Sequence, residues 1–574
     1  MDIIIYLILG FVLVTIGMGL YYLQLYRHPI VVKVSKNSFL LLTISIDQLV
    51  YVTKLLKRTH RLQSILSEVG ISLTTLENAI QFITLMSNKE RCEYLSKRLS
   101  LTRPTTKVNE PKPEENFYKL SFYGDIPVNL HEINLYFAPL ESATREVIAD
   151  LEGRFPKICT LIISFQPEQR ENLREYSKDT GNLWVVPDKR ELTSLLLAPR
   201  PIVPFTHVVT KQIKLADISP YKTTGGVEKD SAFFGREKLL SNILGRDLTN
   251  YLIVGGRQLG KTSLLKKIER YFQNSQNHNV ECFYLSLFSN DIEVELKKVL
   301  KLPNNTSTEA LLDELTNIQP NQHRLFLVDE ADLFVEREMK ANYPLLSYCR
   351  GLSENGKCHF ILVGFWKLYE AVHFNFQSPI KNFGESINIG QLETEACDEL
   401  ITKPMRILGI EYESPKLVNI IREQTGQRAN LIAIICHEML KIRKDNEFKL
   451  TQSHVEKAFQ SSAIYEALAG WQQLSDSQTA SRLDRIIVYM TVKRGDFTLT
   501  HIVNAFKKWQ LQFEPEHIQQ SLARLQLAFI LTKDKKTYTY CVPLFRKILL
   551  EKEDIGILLQ EELLSLKKTI NSHG

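Results

Sequence analysis

The sequence has no Cys-x-x-Cys pair, and its eight cysteines are scattered without the Cys/His spacing of a zinc site. A structural zinc module is therefore excluded, and reduced, buried thiols are the expected state. Charge of one sign is not in large excess. The net charge of +6 over 574 residues permits an anionic partner without demanding one. No repeat array recurs along the chain, so a solenoid or propeller is not expected. Disorder is not indicated either, because 44% hydrophobic and 24% charged residues are ordinary for a globular protein. A chain of this length exceeds one core, and three or four domains are expected.

Long apolar runs are also scarce, with one exception. Residues 3–23 read IIIYLILGFVLVTIGMGLYYL and carry no charge. About 20 helical residues span a bilayer core. Tyr21, Tyr22 and Tyr26 stand at the far end as an interfacial belt would, followed by Arg27, Lys33 and Lys36, while only Asp2 precedes the run. This predicts a membrane anchor within residues 1–30, with the N-terminus outside and the bulk of the chain cytoplasmic. A cleaved signal peptide would need a basic n-region and a small-residue cleavage site, and neither is present. The run at 39–46 is short, precedes Asp47 and reads as a core helix.

Residues 31–116 begin with helical periodicity at Leu49, Val50, Val52, Leu55, Leu56, Leu62, Ile65 and Leu66. Two or three helices are expected, ending in a polar linker, LTRPTTKVNEPKPEEN, at 101–116. Residues 117–200 alternate strand-like runs (134–137, 160–165, 183–186) with helical ones (142–153, 167–178, 188–197). A small α/β domain is expected there. Asp188 opens one of its helices and reads as an N-cap, and no catalytic constellation stands out. Residues 201–232 form a connector with turn signals in SPYKTTGG.

Chemistry first becomes legible at 251. A strand-like YLIV is followed by Gly255, Gly256, Arg257, Gln258, Leu259, Gly260, Lys261 and Thr262, and then by a helical run opening at Ser263. This is GxxxxGK[ST] between a strand and a helix. Glycines let successive backbone N–H groups curl around phosphate oxygens, and the helix N-terminus adds donors. Lys261 is placed for the β- and γ-phosphates and Thr262 for Mg²⁺. A second apolar strand, RLFLV at 324–328, ends in Asp329 and Glu330. Asp329 would hold the metal and Glu330 would polarise the attacking water. Further strands are expected at 280–287, 359–364 and 386–392. They complete a five-stranded parallel sheet between helix layers, with ATP and Mg²⁺ at the carboxyl ends of its strands.

FGRE at 234–237, DEAD at 329–332, IGQLETEACDELITKPMRILGI at 389–410 and TGQRANLIAIIC at 425–436 stand around these elements. Together they resemble bacterial STAND-type NTPases, the AAA-related signal-transduction ATPases allied to the origin-recognition ATPases, over roughly residues 233–550. The resemblance implies an ATPase core at 233–392 and a helical lid at 393–475. It implies that Phe234, Gly235 and Arg236 border the adenine and ribose, and that Arg428 presents a cation to the γ-phosphate. The pattern also departs from the family. The strand ending at Gly364 continues as Phe365, Trp366 and Lys367, so no polar sensor follows it. Arg337 and Arg350 are the candidate arginine fingers.

Residues 476–550 read as three helices (483–493, 499–510, 515–527) and two β-like runs around Lys533, Asp534, Lys535 and Lys536. This is a winged-helix pattern, and the resemblance implies such a module here. Its third helix would present Glu516, His517, Gln519, Gln520 and Arg524, a poor set for reading DNA. Residues 551–574 form a final helix. The expected architecture is thus α/β and multidomain: a transmembrane helix, a small α/β domain, a P-loop core, a lid and a winged helix. The expected function is a membrane-anchored, slow ATPase at the bacterial inner membrane. It would act as a nucleotide-dependent signalling switch through self-association or a protein partner. A membrane-held DNA-binding ATPase and a non-hydrolysing scaffold with structural nucleotide remain open alternatives.

Overall fold

The computed structural model describes residues 15–102, 116–122, 126, 128–152, 158–179, 182–274, 279–288, 291–375, 378–444, 447–511 and 513–572. The chain divides into two units, Met1–Pro220 with Ile407–Gly409, and Tyr221–Arg406 with Ile410–Gly574.

In the first unit residues 15–26 are helical, and Ile16, Met18, Leu20, Tyr21, Tyr22, Leu23 and Tyr26 are all exposed. Residues 3–14 of the predicted span lie outside the described residues. Among the described residues no helix is long and apolar enough to cross a membrane. More helix follows than periodicity suggested: Pro29–Lys36, Ile46–Arg58, Leu62–Val69, Leu73–Thr84 and Asn88–Leu99, with a 3₁₀ turn at Ser38–Thr43. A five-stranded sheet then runs in sequence order through Leu101–Thr102, Phe117–Phe122, Glu132–Phe137, Thr160–Ile163 and Trp184–Val185. Its first two junctions are antiparallel and its last two parallel. The first two strands escaped the sequence reading, and Leu101–Thr102 falls inside the segment read as a linker. Asp188 caps the Lys189–Leu197 helix, accepting from Arg190 N and Glu191 N.

The second unit is built on five parallel strands: β1 (Tyr251–Val254), β2 (Val280–Ser286), β3 (His323–Asp329), β4 (Cys358–Gly364) and β5 (Glu385–Asn388), in the spatial order β5-β1-β4-β3-β2. Helices cover both faces, so β1, β3 and β4 are buried nearly throughout and read as unbroken apolar runs. β5, at an edge, is exposed over most of its length. This order places the exit of β4 between the exits of β1 and β3.

Five helices follow, Thr394–Ile407, Pro415–Gln424, Ala429–Ile442, Gln452–Phe459 and Ser462–Ala469. Next come helices Gln478–Thr491, Leu499–Lys508 and Pro515–Leu527 with a three-stranded antiparallel sheet of Asp496–Thr498, Thr537–Tyr540 and Leu531–Asp534. Helices and sheet together have the pattern expected of a winged helix. Arg524 corrects the sequence reading: it is 2% exposed and cannot face a groove. Asp484, itself buried on the Gln478–Thr491 helix, takes both Arg524 Nε and a terminal nitrogen at 2.9 Å. An unpaired carboxylate there would be costly, so the arginine turns inward.

Candidate nucleotide site

The loop after β1 bends because two of its residues take left-handed backbone conformations. Gly260 has φ +88° and Gln258 φ +61°, and only glycine adopts such a conformation without strain. The helix Lys261–Asn274 starts at the loop's end. Its N-terminal donors and the loop amides stand at the carboxyl end of β1, where Gly255 N and Gly256 N are already taken by Gly364 O and Leu527 O.

Lys261 is buried there, and its Nζ donates to Gly255 O (2.8 Å) and Gly256 O (2.7 Å). Among the described residues it forms no ion pair. Burial pulls its pKa down, while Glu330, Asp332 and Asp329 hold it up from a distance. Thr262 Oγ1 donates to Asp329 Oδ2 at 2.7 Å, which brings the two predicted metal residues together across 67 positions of sequence. Tyr284 OH donates to the same oxygen at 3.0 Å. Glu330 follows with φ +56°, a strained conformation for a residue with a Cβ. Burial raises its pKa against the opposing pull of Lys261, with Asp329 and Asp332 adding to the rise. Among the described residues no group of three or more His, Cys, Asp or Glu gathers as a metal cluster.

The FGRE turn packs on the start of the lid. Gly235 has φ +71° and packs against the start of the lid, where an added Cβ would lie 2.6 Å from Glu393 Oε2. Arg236 N donates to that carboxylate at 2.9 Å. The Arg236 guanidinium is spent on the carbonyls of Gly390, Gln391 and Leu259. It braces the β5–lid loop, and Phe234 beside it is half-buried. Arg257 is exposed and Leu259 buried. Arg337 and Arg350 pair on the surface with Asp291 and Glu354.

The lid returns to the phosphate loop. Asn430 Nδ2 donates to Gln258 Oε1 at 2.6 Å. Two residues before it Arg428 is 6% exposed, and its buried Nε has no partner. Burial drives its pKa down to about 10, and among the described residues the Cys541 thiol opposes the shift. A guanidinium with no acid beside it suits an incoming anion. Lys261 fits a phosphate, and the Thr262–Asp329 pair fits a hard cation held through oxygen; Arg428 stands two residues before the lid's contact with the loop, and the titratable group beside it is Cys541.

Several residues of the site escaped the sequence reading because they come from far along the chain. The connector passes over the helix start: Val227 N donates to Ser263 Oγ at 3.0 Å, and a Cβ on Gly226 would meet Thr262 Cγ2 at 2.8 Å. The winged helix touches the loop itself. Gly256 N donates to Leu527 O at 2.7 Å, and a Cβ on Gly256 would lie 2.8 Å from Ala528 Cα. The doubled glycine at 255 and 256 was the available signal, since two backbones meet there.

No family model matches the chain, and no curated protein sequence matches it. Among solved structures it is similar to a Walker-type ATPase of Pyrococcus abyssi, at 15% identity and TM-score 0.41 over 57% of this chain and 98% of that one. It is also similar to the ORC2 protein of Aeropyrum pernix, at 11% identity and TM-score 0.32 over 57% and 92%. RuvB of Thermotoga maritima, a Holliday junction branch migration motor, gives 12% and 0.31 over 55% and 94%. Each of these likenesses covers little more than half of this chain.

Proposed function

We propose that this chain binds ATP with Mg²⁺ between the sheet and the lid and uses the γ-phosphate as a switch on the winged helix. The observation that carries the reading is Lys261, a buried ammonium on a phosphate loop with carbonyls for partners and no acid. The loop amides and Lys261 would hold the β- and γ-phosphates, and Arg428 would answer the γ-phosphate from the lid. Thr262 and Asp329 would hold the metal, which when bound neutralises charge on the phosphates. Glu330 would orient and deprotonate water, and its strained backbone fits a slow, gated hydrolysis. Phe234, Gly235 and Arg236 would shape the base side indirectly, through the loop that Arg236 braces. The Gly256–Leu527 hydrogen bond supports coupling to the winged helix, because whatever reshapes the loop disturbs that bond. DNA reading is less favoured with Arg524 turned inward.

We further propose that residues 3–23 anchor the chain in a membrane. The described part of that run is a helix whose apolar side chains all face outward, as they would toward lipid. Self-association or a protein partner would then report the ATP state. The test uses full-length protein in detergent with a fluorescent ATP analogue, phosphate release and light scattering. Binding that Lys261→Ala abolishes, with a mass increase under ATP but not ADP, is the expected result. Binding unaffected by Lys261→Ala would overturn the assignment of the site.

A further inference from the structure

The exit of β4 touches both halves of the site. Gly364 O accepts from Gly255 N at 3.3 Å, and Val363 O accepts from Ala331 N at 2.9 Å. A Cβ on Gly364 would stand 2.8 Å from Asp332 Oδ2 and 3.1 Å from Leu368 Cβ. No polar side chain fits there, which accounts for the sensor missing from the sequence. Asp332 occupies the space instead. Its Oδ2 accepts from Phe365 N at 2.7 Å, and its Oδ1 from Lys367 N at 2.8 Å and Leu368 N at 3.2 Å. These bonds fix the first turn of helix Trp366–His373 to the segment that carries Asp329 and Glu330.

Trp366 opens that helix and is 5% exposed. The Arg524 guanidinium of the winged helix stands over its ring, 4.8 Å from the centroid. Arg524 is gripped from behind by Asp484, which also accepts from Ser521 Oγ. Leu527 joins the same core as Trp366, with Ala523 packed against it. A cavity of about 880 Å³ lies beside this contact, bounded by Lys367, Glu370, Phe506, Ile518 and Arg524 among others. A small number of side chains therefore carries this part of the joint.

We infer that Asp332 is a positioning residue that stands in for the strand-end sensor and passes the state of the Asp329–Glu330 segment to the winged helix through the Trp366–Arg524 stack. The inference rests on the ATP reading above. Asp332 lies two residues beyond Glu330, so a shift of the strained Glu330 backbone moves its carboxylate. The three N–H groups follow, and with them the indole. A packed contact of this kind switches between discrete arrangements rather than stretching.

The test is tryptophan emission of the full-length chain with ADP and with a non-hydrolysable ATP analogue, beside phosphate release and fluorescent-ATP binding. Trp366→Phe should remove most of the difference between the two nucleotides, with Trp184, Trp471 and Trp509 supplying the remaining emission. Asp332→Asn should bind ATP within about threefold of wild type, lose that difference, and release phosphate at least about tenfold more slowly. Should Asp332→Asn fail to fold, Arg524→Lys carries the question. It keeps a charge opposite Asp484, removes the flat stack, and must lose the same difference. Retention of the full difference in Asp332→Asn or Arg524→Lys overturns the inference. So does a wild type that binds ATP with no change in emission. A wild type that binds no nucleotide sinks the ATP reading first and this inference with it.

Discussion

The phosphate loop and the third helix of the winged helix both bury cations, and they treat them oppositely. Arg524 is met by Asp484 with two hydrogen bonds at 2.9 Å. Lys261 has only carbonyl partners, and Arg428 has a buried Nε with none. A buried charge that the fold itself neutralises is part of the scaffold. One left without a counter-charge costs stability and is retained for something that arrives later. Arg170 in the first unit is equally buried, with both terminal nitrogens unpartnered, yet Asp47, Glu171 and Asp188 lie near enough to favour its charge. Lys261 is in the same position, with Glu330, Asp332 and Asp329 favouring its charge from a distance, so Arg428 is the clearest case of a cation the fold does not match.

The comparison breaks most visibly if the scaffold pair is cut. Arg524→Ala should destabilise the winged helix by about 3–5 kcal/mol, because Asp484 stays behind as a buried, unpaired carboxylate. Hydrogen exchange across Gln478–Thr491 and Pro515–Leu527 would report it. Joint replacement by Asp484→Leu and Arg524→Met should recover most of the loss, and no recovery would mean the pair does more than neutralise itself. Lys261→Ala should do the reverse, leaving the thermal midpoint of the free protein unchanged or higher. It should also weaken ATP binding by roughly 100-fold, about 3 kcal/mol. A lower midpoint would show that Lys261 holds the loop for structural reasons.

Gly256→Ala probes the place where the two regions meet. The new Cβ would press on Ala528 and should cost about 1–3 kcal/mol as overpacking. Faster exchange at 524–530 is expected, with the sheet itself undisturbed. Arg428→Gln is milder. It should cut the preference for ATP over ADP by about tenfold, close to 1.4 kcal/mol, without lowering stability. Equal loss of both affinities would mean that Arg428 answers the β-phosphate or the fold rather than the γ-phosphate.

How much of this could be read from the chain follows the same division. The loop 255–262 and Asp329 with Glu330 were legible because each motif is local: a strand, a bend and a helix within a few residues. The helices after 394 were expected from the resemblance and those after 478 from their periodic pattern. The missing polar sensor was read from Phe365, Trp366 and Lys367 after the strand, because nothing within the strand reveals that Asp332 fills the space at Gly364 from 32 positions away. Arg524 was read as exposed because periodicity marks which residues share a face, not what covers that face. The Gly256–Leu527 contact joins residues 271 positions apart through backbone atoms, which carry no sequence signal beyond the glycine. The first two strands of the small sheet were missed because Leu101–Thr102 is only two residues long and Phe117–Phe122 is half polar, with an exposed Lys119.

The finest test concerns Glu330, where the comparison becomes one of protonation. Burial raises its pKa above the ordinary glutamate value, with Lys261 pulling the other way. As the base it must be ionised, so phosphate release should fall as pH drops through this raised value. The acid limb should therefore lie above the range of an unperturbed glutamate. Replacing Lys261 removes the opposing pull, so in Lys261→Met any residual activity should show the limb displaced further upward. The sign for stability is opposite to that for activity. A carboxyl whose folded pKa is raised favours folding below its unfolded pKa and loses that contribution as pH rises through the folded value. Glu330→Gln should accordingly abolish the acid limb while leaving the free protein no less stable at neutral pH. An acid limb that survives Glu330→Gln would assign it to another group and remove Glu330 from the role of base.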